Sequence, residues 1–242
     1  MPAHSAHSAH SAHSAHSADS TRRGKAITPS REALTPRRPK QARSRARMEA
    51  ILDAAEQVVA VQGMARLTMS EVALRAGVSI GSLYQYIPTP QALLRALTDR
   101  FLADLRSDLE HHVGEARTPQ AFADAISQVI WGIYAKMRDQ PQQREIWAHL
   151  AADRDLAALN LADSRENAEG LVAALVRVGV VGRGDAAALL PDVLLITHLS
   201  GSAVQMAADM PVANGDKIVA CFVDMALARL GLPGSSQNTV TP

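Results

Sequence analysis

TMSEVALRAGVSIGSLYQY, residues 68–86, carries two short helix signals that meet at a glycine. Thr68-Met69-Ser70-Glu71 is a capping box, in which the threonine hydroxyl accepts the backbone N–H of Glu71 and the glutamate reaches back to the cap. Val72, Ala73 and Ala76 give the helix that starts here an apolar stripe, and Gly77 permits the positive φ that ends it. Val78 then re-enters the core. Ser79 is the expected N-cap of a second helix carrying Leu83, Tyr84 and Ile87, which Pro88 closes. Two short helices joined by a glycine turn make a helix-turn-helix, whose second helix can lie in the major groove of DNA.

The second helix has the composition of a DNA-reading element. Ser79, Gly81 and Ser82 are small enough for close backbone approach, while Tyr84, Gln85 and Tyr86 offer groups suited to phosphates or base edges. Read more widely, the stretch from Arg47 to Leu94, ILDAAEQVVAVQGMARLTMSEVALRAGVSIGSLYQYIPTPQALL at its centre, resembles the N-terminal DNA-binding domain of TetR-family transcriptional regulators. The resemblance implies base or methyl contacts from Ile80, Gly81, Ser82, Tyr84 and Gln85, and phosphate contacts from Thr68, Ser79 and Tyr86. Two positions depart from the family pattern. Pro90 stands where a lysine often begins the fourth helix, and Ile87 where phenylalanine is common.

Charge is distributed to match. The 242 residues carry a formal net charge of +1. Residues 1–47 hold 10 lysines and arginines against Asp19 and Glu32, a net of +8, and the rest of the chain holds 15 against 22, a net of −7. A basic arm thus runs into the first helix, and it is either a solvated linker or a minor-groove or phosphate contact, with Arg45 and Arg47 the DNA-binding candidates. Ahead of it, residues 3–17 repeat Ala-His-Ser, placing His4, His7, His10, His13 and His16 at a period of three. Such a tract is either a disordered low-complexity tail or a transition-metal binder.

Aromatics make up 3% of the chain and apolar residues 47%, which favours helices over sheets. The expected fold is all-α: an N-terminal three-helix helix-turn-helix domain over 42–88, then a six-helix ligand-binding and dimerisation domain over 89–232. A disordered arm (1–41) and a disordered tail (233–242) flank them. The first helix is expected over 42–61, the fourth from the Thr89-Pro90 cap to Gly114, and the fifth from Thr118-Pro119 to Pro141. The remaining four are expected near 142–152, 155–178, 186–208 and 214–231, with Asp185 and Asn214 capping the last two and Pro191 kinking or starting the eighth. The resemblance implies that these last two helices dimerise. Gly201, Ser202 and Ala203 would permit close helix approach there, and Val223 falls on the same expected face.

Cys221 is the one cysteine, so neither an internal disulfide nor a cysteine-rich metal site is available. The sequence lacks a signal-peptide h-region and a long apolar run, and cytoplasmic residence without membrane attachment is the expectation. No catalytic constellation, cofactor motif or metal-ligand spacing occurs, so no enzyme, cofactor or metal is expected. A small-molecule pocket is expected instead, drawn from the large and polar residues on otherwise aliphatic helices: Phe122, Trp131, Tyr134, Trp147, His198 and Met206. The reading that follows is a homodimeric, sequence-specific regulator, a repressor released from a palindromic double-stranded operator by an unidentified small-molecule effector. The alternatives are a DNA-binding accessory protein of the same fold without an effector, and a metal-binding helical protein using the histidine repeat.

Overall fold

The computed structural model describes residues 38–236, with side chains from residue 41 onward. The histidine repeat and most of the basic arm lie outside these residues. Among the described residues there are nine α-helices, one 3₁₀ turn and no strand. They are α1 (Arg38–Gln62), the 3₁₀ turn Met64–Arg66, α2 (Met69–Arg75), α3 (Ile80–Tyr86), α4 (Pro90–Gly114), α5 (Pro119–Asp139), α6 (Pro141–Ala152), α7 (Arg154–Arg177), α8 (Ala186–Ala208) and α9 (Val212–Arg229).

Local chemistry sets most of these boundaries. The hydroxyls of Thr68, Ser79, Thr89 and Thr118 each accept the N–H three residues on, at 3.3, 3.1, 3.0 and 3.1 Å, and proline follows the cap directly in α4 and α5. Three ends differ from expectation. Helix α1 starts at Arg38, because Pro39 falls in the first turn, where a missing N–H removes no helical bond. Helix α9 is capped by Pro211, and Asn214 lies inside its first turn with its N–H on the Pro211 carbonyl at 2.9 Å. Within the expected tail, Gly234 and Ser236 are held to α5, where Gln120 donates to the Gly234 carbonyl and the Ser236 N–H and hydroxyl both donate to Asp124 at 2.9 and 2.7 Å, while residues 237–242 lie outside the described residues. These hydrogen bonds, that from the Ser236 hydroxyl foremost, hold the Asp124 carboxyl below its usual range.

Two apolar cores form. The first joins Ile51, Ala55 and Val58 of α1 to Met69 and Val72 of α2, Leu83 of α3, and Leu93 and Leu97 of α4. The second gathers α4 to α9 around Phe101, Phe122, Met137, Ile146, Leu150, Leu175, Val204 and Val223. Helix α4 belongs to both cores. At about 1.5 Å per residue its 25 residues span roughly 37 Å, so one rigid element enters the helix-turn-helix and the larger helical body alike. Arg100 sits between these two stretches. Its guanidinium bridges Glu56 (Nε to Oε1 3.0 Å, Nη2 to Oε2 2.9 Å) and Asp53 (2.7 Å) on α1. Burial alone would lower its pKa; the bonds to Glu56 and Asp53 outweigh that and raise it.

Helix α8 is long and apolar enough, by length and composition, to cross a membrane. Here it packs between α7 and α9, leaving an outward apolar stripe.

Candidate nucleic-acid interface and effector cavity

The turn between α2 and α3 closes as the sequence requires. Gly77 adopts φ 63°, and the Val78 N–H reaches the Ala73 carbonyl at 3.0 Å, the six-to-one bond of a Schellman end. The capping box is half formed, since the Glu71 carboxylate accepts from Gln62 Nε2 at 3.1 Å and thereby ties α2 to the end of α1. In α3 the faces divide sharply. Leu83 and, just past the helix, Ile87 are buried, whereas Ile80, Gly81, Tyr84 and Gln85 are exposed on the opposite side at spacings of one, four and five. Ile80 is 42% and Tyr84 45% exposed, a solvated apolar and aromatic pair on a seven-residue helix. Ser82 and Tyr86 are half-buried, and the Tyr86 ring packs against the first core. Thr68 and Ser79 are exposed; each hydroxyl accepts a cap bond and keeps its own proton to donate. Arg45 and Arg47 stand exposed on α1. Isoleucine in place of phenylalanine at position 87 fills the core at 2% exposure.

Behind this unit, a cavity of about 90 Å³ opens among α4, α5, α7 and α8. One wall is aliphatic and aromatic, with Leu102, Leu105, Phe122, Ile126 and Trp147. The facing wall is polar. Asn160, Asp163, Ser164 and Asn167 of α7 lie at spacings of three, four and seven, one helical face, and Thr197 and Ser200 of α8 join them. Asp163 accepts from Arg106 of α4 at 2.6 Å and from Asn167 Nδ2 at 2.8 Å, and the second Arg106 nitrogen meets Glu166 at 2.7 Å. Burial pushes the Asp163 carboxyl above its usual range in spite of Arg106.

Of the six residues expected to line a pocket, Phe122 and Trp147 line this cavity. His198 stands behind the lining, its Nδ1 3.1 Å from the Ser164 hydroxyl. Trp131 and Tyr134 pair edge to face at 5.8 Å elsewhere on α5, with the Tyr134 hydroxyl accepting from Arg138, and Met206 is exposed on α8. The polar stripe of α7 was missed because polar residues at helical spacing ordinarily mark a solvated face. The signal was there: Leu156, Leu171 and Leu175 continue the same face at either end.

The α8–α9 surface also differs in detail from expectation. Gly201 is buried, and a Cβ there would lie 1.8 Å from Cζ2 of Trp147, so its missing side chain admits the indole within the subunit. Val223 is wholly buried in the second core and belongs to no outer face. The outward apolar residues are Leu195, Leu199 and Met206 on α8, aligned at spacings of four and eleven with exposed Ser202 between, and Cys221 and Met225 on α9. Leu195 is 59% and Met225 65% exposed.

Residues 51–97 match the family described as bacterial regulatory proteins, tetR family. The HTH-type transcriptional regulator BetI of Rhizobium meliloti is 35% identical over 91 residues, a match covering 38% of this chain and 45% of that protein. BetI of Agrobacterium fabrum is 27% identical over 189 residues, 75% of this chain and 88% of that one. Among solved structures, a TetR-family transcriptional regulator from Streptomyces coelicolor superposes with a TM-score of 0.56 at 25% identity, over 76% of this chain and 98% of its own. The matched residues contain both reading helices and the start of α4, and the likenesses extend through the helical body. Residues 51–97 thus carry the DNA-binding domain of the bacterial tetR regulatory family, and over about three quarters of its length the chain is similar to transcriptional regulators, as a DNA-binding regulator would be.

Proposed function

We propose that the chain works as a homodimeric repressor that a small molecule releases from a palindromic operator, in the cytoplasm and without membrane attachment. The observation that carries the DNA part is the single exposed face of α3: Ile80, Gly81, Tyr84 and Gln85 project together because Leu83 and Ile87 anchor the other side. In this reading those four residues and Ser82 meet base edges and methyl groups. Thr68, Ser79 and Tyr86 donate to phosphates, and Arg45 and Arg47 add charge from α1. A second copy covers the outward stripe of α8 and α9, which would otherwise expose two leucines and two methionines to water. The cavity supplies the effector site. Phe122 and Trp147 line it, while Trp131, Tyr134, His198 and Met206 act at most from outside its walls.

Selecting DNA fragments with the purified protein, then titrating the selected site by fluorescence anisotropy, tests the proposal. The expected product is a two-fold site with half-sites about 34 to 36 Å apart, or that distance plus whole turns. Half the protomer stoichiometry, or a selected site without two-fold symmetry, would refute the dimer reading. Failure of every compound in a broad small-molecule panel to release the operator would favour the accessory protein without an effector.

A further inference from the structure

We infer that the cavity selects a small, uncharged ligand, no larger than a single ring, that donates a hydrogen bond. The inference rests on the effector reading above and adds the chemistry that the walls demand. Three hydroxyls line the cavity, and each has already committed its one proton to the backbone. Ser164 donates to the Asn160 carbonyl, Thr197 to that of Val193 and Ser200 to that of Thr197, all at 2.7 Å. With the Ser164 proton spent, His198 Nδ1 at 3.1 Å is the donor of that pair, and it fills a Ser164 lone pair. Asp163 can only accept while ionised. Asn167 has turned an N–H to Asp163, which leaves its carbonyl oxygen as an acceptor. Asn167 keeps a second N–H, so it and Asn160 are the two groups of this wall that can also donate, against the lone pairs of three hydroxyls, two amide oxygens and a carboxylate. The polar wall is therefore rich in acceptors whose lone pairs lack a proton. An O–H or N–H on the ligand satisfies them, and a ligand bearing only acceptors leaves them unmatched.

Charge and size narrow the class further. The Asp163 carboxylate is held by Arg106 at 2.6 Å, with its side chain 9% exposed. A cationic ligand would enter a site whose negative charge is already compensated, and an anion would face a wall of lone pairs; either loses its hydration without a free partner. A volume of about 90 Å³ is below the roughly 150 Å³ at which an apolar core cavity is known to hold benzene. One ring enters only as Leu102, Leu105 or Trp147 gives slightly, and a fused ring system is too large.

Calorimetric titration of the full chain with phenol, anisole, toluene, benzoate and benzylammonium tests this. Phenol should bind about tenfold tighter than anisole or toluene, and the two ions should bind more weakly than phenol. In the double variant Thr197→Val, Ser200→Ala, two acceptors are lost with little change in shape. The preference for phenol over toluene should fall to about threefold or less there, with toluene affinity kept within twofold. Anisole or toluene matching phenol, either ion exceeding it, or no binding by any of the five would overturn the inference. Phenol that binds with the expected ranking yet leaves operator affinity unchanged would sink the effector reading and leave the donor preference standing.

Discussion

Gly201→Ala tests the interior most directly, because two physical effects of known size oppose each other at that position. In the middle of an exposed helix, alanine in place of glycine stabilises by about 1 kcal/mol, through lower backbone entropy in the unfolded chain. Gly201 lies well inside α8, so helix propensity alone favours the alanine. The structure places Cζ2, Cη2 and Cε2 of Trp147 at 1.8, 1.9 and 2.8 Å from the new Cβ, whereas ordinary contact is 3.4 to 4 Å. The benzo ring must therefore retreat by at least about 1.6 Å. It has little room to do so. The indole is 6% exposed, sits edge to face on Phe101 at 5.7 Å and forms a wall of the cavity. Overpacking of this kind costs about 1 to 3 kcal/mol or more, and complete expulsion of a tryptophan approaches the 3 to 5 kcal/mol of its deletion. The net expectation is destabilisation by about 0 to 2 kcal/mol if the indole shifts and about 2 to 4 kcal/mol if it is expelled, read by urea unfolding at fixed protomer concentration, with a change in tryptophan fluorescence. Trp147→Phe removes the atoms that clash. Combined with Gly201→Ala it should recover stability beyond additivity, with a coupling of at least about 1 kcal/mol. A Gly201→Ala variant more stable than wild type, at the propensity value, would show that the indole does not rest on this glycine.

Tyr86→Phe should weaken every operator fragment alike, by at most about 1.5 to 3 kcal/mol, while Ser82→Ala should reorder the preference among fragments; equal weakening by both with no reordering refutes these assignments. Met225→Asp, on the outward stripe, should yield a folded monomer by sedimentation and circular dichroism. Val223→Asp buries an unpaired charge and should lose helix content instead, and the opposite pattern would exclude the proposed dimer face. Burial raises the native pKa of Asp163, so the folded chain holds this proton at a pH where the unfolded chain has released it. Its contribution to stability therefore grows as pH falls through the native value towards the unfolded value near 3.9. Asp163→Asn removes that dependence, and the stability difference between wild type and variant, measured from pH 7 to pH 4, should move in favour of wild type on acidification. A difference moving the other way contradicts the burial argument.

The helix-turn-helix was legible because its signals are local. A hydroxyl three residues ahead of the N–H it caps, a proline directly after the cap and a glycine where φ must be positive are read from a window of a few residues; Thr68, Ser79, Thr89, Thr118 and Gly77 all act within such windows. What escaped depends on the partner of a face. Gly201 reads as a place for another helix until Trp147, 54 residues earlier, is brought beneath it. Val223 and Met225 are two residues apart on an apolar helix, and periodicity cannot say which one faces the subunit's own core. The α7 stripe of Asn160, Asp163, Ser164 and Asn167 reads as solvent-facing until the leucines in register with it are seen to be buried. Asn214 is a better N-cap than proline by residue preference alone, yet the turn after Met210 sets the helix start at Val212.

The two cores and the cavity also set how much effector binding must accomplish. Leu102, Leu105 and Leu109 of α4 face the cavity, while Leu93 and Leu97, one to two turns ahead of Arg100, are buried with the reading helices. Arg100, held to α1 by Glu56 and Asp53, lies between these two stretches, and a tilt of α4 is taken about that point. Pro90 is ten residues from Arg100, about 15 Å along the axis, so a tilt of about 2° moves the start of α4 by roughly 0.5 Å. In a two-fold dimer both reading heads move, and their separation changes by up to twice that. An effector that binds the displaced geometry 100-fold better than the DNA-competent one supplies about 2.7 kcal/mol of coupling. That is comparable to the charge-assisted contacts of one or two phosphate-binding groups, enough to release an operator held at its working concentration. Linkage makes the effect reciprocal: saturating operator must weaken effector binding by the same 100-fold. Effector affinity measured by calorimetry with and without saturating operator should therefore shift by the factor seen in operator release. A shift in one direction without its equal in the other would mean that the two sites do not communicate through this equilibrium.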